Sequence, residues 1–152
     1  MLNRSNDAEL DFDFDKVLEK SKDNPVFYVQ YCHARIQSIF RSLGMNEQKK
    51  LDIKNNEINF NKFEKEIIKK IFEWPKVVKI SSRKYEPHRI PFYLYELATL
   101  FHSYWSKGNE DEKFKFIKKG VLDNNVKIIV HLILIVLQNS MNILNVSLPD
   151  KM

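Results

Sequence analysis

The side chains with the most chemical reach in this sequence lie in one short stretch: Tyr28, Tyr31 and Arg35, within Asn24-Pro25-Val26-Phe27-Tyr28-Val29-Gln30-Tyr31-Cys32-His33-Ala34-Arg35. At these spacings two phenols and a guanidinium fall on one edge of a helix. There they can stack on unpaired bases and hold a phosphate, as proteins that read single-stranded RNA loops do. The same three side chains could instead be half-buried packing residues, the arginine snorkelling or pairing with a carboxylate. A second group, Lys76, Lys79, Arg83 and Lys84, is the densest basic patch of the chain. It could contact phosphate or simply form a solvated helix face. Motifs for covalent chemistry are absent: the chain has no glycine-rich phosphate loop, no nucleophile elbow, no His-Glu-x-x-His and no cysteine pair. His88 and His102 stand too far apart on one helix to share a metal, and His131, inside an apolar run, reads as a buried, hydrogen-bonded neutral imidazole. Neither catalytic nor metal-ligating residues are expected.

The first group needs a well-started helix. Asn24 can cap the first-turn amides, Pro25 occupies a position where its missing N–H costs nothing, and Asp23 lies near the positive end of the dipole. Val29, Cys32, Ile36, Ile39 and Leu43 then form an apolar stripe beside the Tyr28–Arg35 edge, and Gly44 supplies the stop. The polar stretch from Asn46 to Asn59 reads as a connection with a short helix at Glu47–Leu51. Asn59 or Asn61 can cap a second helix through Phe60, Phe63, Ile67, Ile71 and Trp74. Pro75 should break or restart it, leaving a short basic helix to Lys84.

Glu86-Pro87 should open a third helix, irregular around Pro91 and regular to Trp105, with Ile90, Leu94, Leu97, Phe101 and Tyr104 as its buried stripe. Ser106–Asp111 reads as a turn at Gly108, and Phe114–Gly120 as a short helix stopped by glycine. A final helix from about Asp123 to Leu144 is apolar nearly all round at Ile128–Leu137. That ten-residue run is short of the roughly 20 residues a bilayer requires, so the helix should pass through the centre of the bundle and no membrane partner is expected.

With 152 residues, 43% of them hydrophobic, and only three glycines and five prolines, the chain can bury a real core. Its one cysteine, Cys32, excludes an intramolecular disulfide, fits a reducing, cytoplasmic setting and reads as a small hydrophobe. No signal peptide is visible in the acidic N-terminus. The formal charge of +5 is unevenly spread: residues 1–25 carry seven acids and four bases, so the remainder carries +8. A basic body with an acidic leader suits a polyanionic partner.

The stretch Asn24 to Arg35 resembles the opening helix of the carboxy-terminal anticodon-binding domain of arginyl-tRNA synthetases, the helical domain named after its Asp-Ala-Leu-Arg motif. Two later stretches resemble the same family in the same order. One is Glu86-Pro-His-Arg-Ile-Pro-Phe-Tyr-Leu-Tyr-Glu-Leu-Ala98 with Phe101-His-Ser-Tyr104; the other is the ending Asn145-Val-Ser-Leu-Pro-Asp-Lys-Met152. Cys32 departs from the family, which usually has Ala there. The resemblance implies an all-α helical bundle of the class I synthetase anticodon-binding type at residues 23–152, with 1–22 as the linker from a catalytic domain that this chain does not contain. It further implies arginine tRNA as partner, bound through its anticodon loop, and attachment to the catalytic domain of the same arginine–tRNA ligase. The His-x-Gly-His and Lys-Met-Ser-Lys-type signatures of ATP-dependent activation are missing from this chain, so no cofactor is expected here and ATP and Mg belong to the full enzyme. The resemblance adds Lys151 and Met152 to the tRNA-binding set of Tyr28, Tyr31, Arg35, Lys76, Lys79, Arg83 and Lys84. Nothing in the residues calls for an obligate dimer, and a monomer is expected. Two other readings stay open: a stand-alone helical RNA-binding module, and a bundle that docks on another protein through its aromatic ridges.

Overall fold

Four helices carry the architecture, and side-chain caps start three of them. The computed structural model describes residues 19, 21, 23–45 and 58–152; the leader apart from these few positions and the expected Glu47–Leu51 helix lie outside the described residues. Helix α1 spans Pro25–Ser42, capped by Asn24, whose side chain accepts from the amides of Val26 and Phe27. Gly44, at φ 61°, closes it: its amide bonds to Arg41 O and that of Met45 to Phe40 O. The same left-handed closure ends two later helices on non-glycine residues, Tyr85 and Asn145.

Helix α2, Lys62–Lys84, starts with a reciprocal cap in which Asn61 accepts from Phe63 and Glu64 amides while Glu64 accepts from the Asn61 amide. The expected break at Pro75 does not occur, and α2 runs through it. An interior proline costs about 3 kcal/mol. Here Ile67, Ile71 and Trp74 before it, and Val77 after it, pack on one core surface and offset that cost.

Helix α3, Arg89–Glu110, begins later than expected, after a turn at Glu86–His88, and continues past the expected turn at Gly108. Pro91 falls in the first turn, where its missing amide has no helical partner to lose. Gly108 is needed for space: a Cβ there would lie 2.7 Å from Phe114 O.

The expected Phe114–Gly120 helix is also corrected. Residues Glu112–Phe114 form one 3₁₀ turn, followed by a hairpin of β1 (Ile117–Lys118) and β2 (Val121–Leu122), with Ile117 opposite Leu122. Lys119 and Gly120 both have positive φ, as a two-residue hairpin turn requires. Phe116 anchors this segment, its ring set against Phe101, Tyr104 and Trp105.

Helix α4, Asn124–Leu144, is capped by Asp123. By length and mean hydropathy, 1.7, it could cross a bilayer, but 56% of that apolar window is buried inside the fold, as for a core helix. Helices α3 and α4 pack on each other, and α1 and α2 each pack on both. The result is an all-α bundle with one small hairpin. Cys32, Ile36, Ile67, Leu97, Phe101, Ile133 and Leu137 sit at its centre.

Candidate nucleic-acid interface

Helix α1 buries Val29, Cys32, Ile36 and Ile39, which leaves two edges to either side of that stripe. Tyr28, Tyr31 and Arg35 occupy the edge that faces α3. Tyr28 is half-buried, with its ring 5.1 Å from Tyr95 and 4.7 Å from His102. Burial raises its phenol pKa, so the group stays neutral. Tyr31 stacks on His102 at 5.4 Å but keeps 36% of its surface exposed. The Arg35 guanidinium lies 4.6 Å from the Tyr31 ring centroid and 5.1 Å from that of Trp105, and it donates to the Tyr31 hydroxyl. Tyr31 and Arg35 are therefore one unit, a phenol ring and a cation held in fixed relation, while Tyr28 supports it from behind.

His102 is the buttress of this edge. Burial, and then the nearby Arg35 charge, lower its pKa from 6.5 to about 4, so the imidazole is neutral at physiological pH. Its Nε2 is buried and meets no partner among the described residues. A neutral ring lets Tyr31 stack without adding a second cation beside Arg35. His88 likewise makes a ring contact, edge-on to Phe92. His131 packs against Phe40, and its Nδ1–H donates to Lys127 O at 2.7 Å. Among the described residues no three His, Cys, Asp or Glu side chains gather as a metal site would require. Burial drives the Cys32 thiol pKa upward, which leaves it an inert core group.

The opposite edge of α1 was not singled out by sequence reasoning. Gln30 Nε2 donates to Ser147 O at 2.9 Å, His33 Nδ1 meets Pro149 O at 3.1 Å, and Arg41 Nη1 donates to Asp150 O at 2.9 Å. Gln37 joins them through His33 Nε2 at 3.2 Å. These side chains hold the C-terminal segment along α1. Beside it lies a polar cleft of about 620 Å³ lined by residues of α1, α4 and the tail, Gln37, Arg41, Gln138, Asn142 and Asp150 among them. A signal existed: Gln30, His33, Gln37 and Arg41 recur at helical spacing. The tail partners of Gln30, His33 and Arg41, over a hundred residues away, left no local trace. Lys151 and Met152 follow the tethered segment and are exposed.

The basic group is not brought to this edge by direct contact. Lys76, Lys79, Arg83 and Lys84 are exposed on α2, which packs on α3 from the side of Tyr93, whereas α1 meets α3 at Tyr95, His102 and Trp105. The molecule thus carries two surfaces suited to a polyanion: an aromatic one on α1 and a cationic one on α2.

Known proteins match this chain along its length. A family model described as the DALR anticodon binding domain matches residues 29–152. An arginine–tRNA ligase of Pelagibacter ubique (strain HTCC1062) is 51% identical over 153 aligned residues, covering 100% of this chain and 26% of the relative. One from Ruegeria pomeroyi is 46% identical, covering 79% of this chain and 21% of the relative. The chain therefore spans about a quarter of the length of the curated relatives it matches. In fold it is similar to a crystal structure assigned to an arginyl-tRNA synthetase of Campylobacter jejuni, with a TM-score of 0.76 at 22% identity, over 99% of this chain and 32% of that one.

Proposed function

The chain belongs to the DALR anticodon-binding domain family, and from that membership we propose that it serves as the tRNA-recognition part of an arginine–tRNA ligase. In this reading it binds the anticodon loop of an arginine tRNA as a monomer in the cytoplasm. The chemistry with ATP and Mg takes place on a catalytic domain outside this chain. Its contribution to the reaction is positional: a tRNA held at one end presents the other to the active site with much of the orientational entropy already lost.

The observation that supports this most is the flanking of α1. One edge offers the exposed Tyr31 ring with the Arg35 guanidinium fixed on it; the other offers the tethered tail with its polar cleft. An unpaired base can stack on Tyr31 while its phosphate meets Arg35, and a neighbouring base can be read by side-chain and main-chain groups of α1 and the tail, with Lys151 and Met152 at its end. Stacking contributes roughly 1–3 kcal/mol per base.

The test is titration with an arginine tRNA and with the same tRNA altered at the middle anticodon base, each at low and moderate salt. Tighter, salt-sensitive binding to the unaltered tRNA is expected. Tyr31→Ala should weaken that binding by roughly 5- to 100-fold with the helical fold retained by circular dichroism. Equal affinity for the two tRNAs would overturn the reading.

A further inference from the structure

Five bases and one aromatic residue form an unbroken line on the outer face of α2. Lys65, Lys69, Phe72, Lys76, Lys79 and Arg83 follow one another at spacings of four, three, four, three and four, and every one is exposed. On a helix of 3.6 residues per turn this places them on the side opposite Ile67, Val78 and Ser81, with a rise of about 27 Å from end to end. None of the five bases makes an ion pair among the described residues. The acids of α2 are mostly engaged elsewhere: Glu64 is buried in the N-terminal cap, and Glu73 pairs with Lys70. A solvated face would account for the lysines. It does not account for Phe72, which sits in the middle of them with 80% of its surface in water.

We propose that this stripe is a second RNA-binding surface, along which an unpaired stretch of RNA lies with its phosphates on the lysines and one base against Phe72. Successive residues of the stripe are about 5 Å apart along the axis, with a gap of about 10 Å between Lys69 and Lys76 that Phe72 fills, a spacing suited to tracking a charged backbone. A lone aromatic ring among cations matches the way sequence-tolerant single-strand sites combine stacking with charge. The proposal rests on the reading above for its class of partner but uses a different face of the molecule, so the two can fail separately. Affinity from this face is independent of the anticodon, while α1 and the tail supply the discrimination.

The test uses the chain with Lys65, Lys69, Lys76 and Lys79 all changed to Gln, and separately Phe72→Ala, all at positions pointing away from the core. Probes are the unaltered and anticodon-altered arginine tRNAs and a 12-nucleotide oligouridylate. The quadruple variant should bind both tRNAs at least tenfold more weakly at low salt, leave their affinity ratio unchanged, and flatten the log–log salt dependence by about three. Phe72→Ala should weaken oligouridylate binding by about fivefold or more and leave the salt slope alone. Unchanged affinity and slope in the quadruple variant would overturn the proposal, as would its loss of binding to phosphatidylserine vesicles with RNA affinity intact. An inert Phe72→Ala would remove the base contact. If the stripe variant loses affinity while the anticodon change has no effect, this proposal survives and the anticodon reading fails; retained discrimination with an inert stripe gives the reverse.

Discussion

On α1, Gln30, His33, Arg35, Gln37 and Arg41 are each tied to a neighbour, whereas on α2 Lys65, Lys69, Lys76 and Lys79 extend into solvent without an ion pair among the described residues. Both helices flank the same α3–α4 pair. The difference lies in what covers their remaining faces: the C-terminal tail lies along α1, and no described segment lies along the stripe of α2. Tethered side chains lose little further freedom when a ligand arrives, so they suit recognition of a particular shape. Unpaired lysines adapt to any phosphate backbone and contribute through charge, with strong dependence on salt. Discrimination and general affinity are thus expected from different helices.

The sharpest contrast is within α2 itself, between its inner and outer faces. Glu64, 3% exposed, accepts from the Tyr104 hydroxyl at 2.7 Å and from the Asn61 amide at 2.8 Å. Glu64→Ala leaves the buried Tyr104 O–H without its acceptor, though the oxygen keeps Asn61 Nδ2 as a donor, and opens the cap, so a loss of about 3 kcal/mol is expected in denaturant unfolding. A loss below about 1 kcal/mol would mean the inner face is no more committed than the outer one.

The α1 edge can be tested through pH. His102 titrates near 6.5 when unfolded and at about 4 in the fold, so the unfolded chain takes up its proton first as pH falls. Its contribution is complete above about pH 6.5, declines through the interval down to about pH 4, and amounts to at most about 3 kcal/mol. Stability against pH, compared between the native chain and His102→Phe, should show a shallower decline in the variant over that interval. Parallel curves would separate His102 from the edge it buttresses. The smallest effect is expected on the outer face: Lys76→Gln should change unfolding free energy by less than about 0.5 kcal/mol while weakening RNA binding. A large stability change there would show that the stripe is structural.

Much of this arrangement was legible in order of sequence. Asn24 with Pro25 specifies a helix cap that matches the structure, and the stripes from Val29 to Ile39 and from Ile90 to Tyr104 match its buried faces. Readings failed where a local breaker met a tertiary contact. Pro75 is accommodated because residues on both sides of it pack on one surface, and Gly108 continues a helix because Phe114 crosses closely over it. At Phe114–Gly120 the glycine was read as a helix stop, but Lys119 and Gly120 together make a hairpin turn. The Tyr28, Tyr31 and Arg35 edge was visible as spacing; the engagement of Tyr28 by Tyr95 and His102 was not.

The sequence by itself determined the helical class, the caps at Asn24 and Asn61, the apolar faces and the basic character of the body, because these depend on residues within a few positions of one another. Only the tertiary structure decided which polar edges are occupied and which stay open. It brought Ser147–Asp150 back onto α1, set His102 under Tyr31, and left the lysine stripe of α2 facing water. Those outcomes depend on contacts between segments dozens to more than a hundred residues apart, and periodicity within one helix carries no information about them.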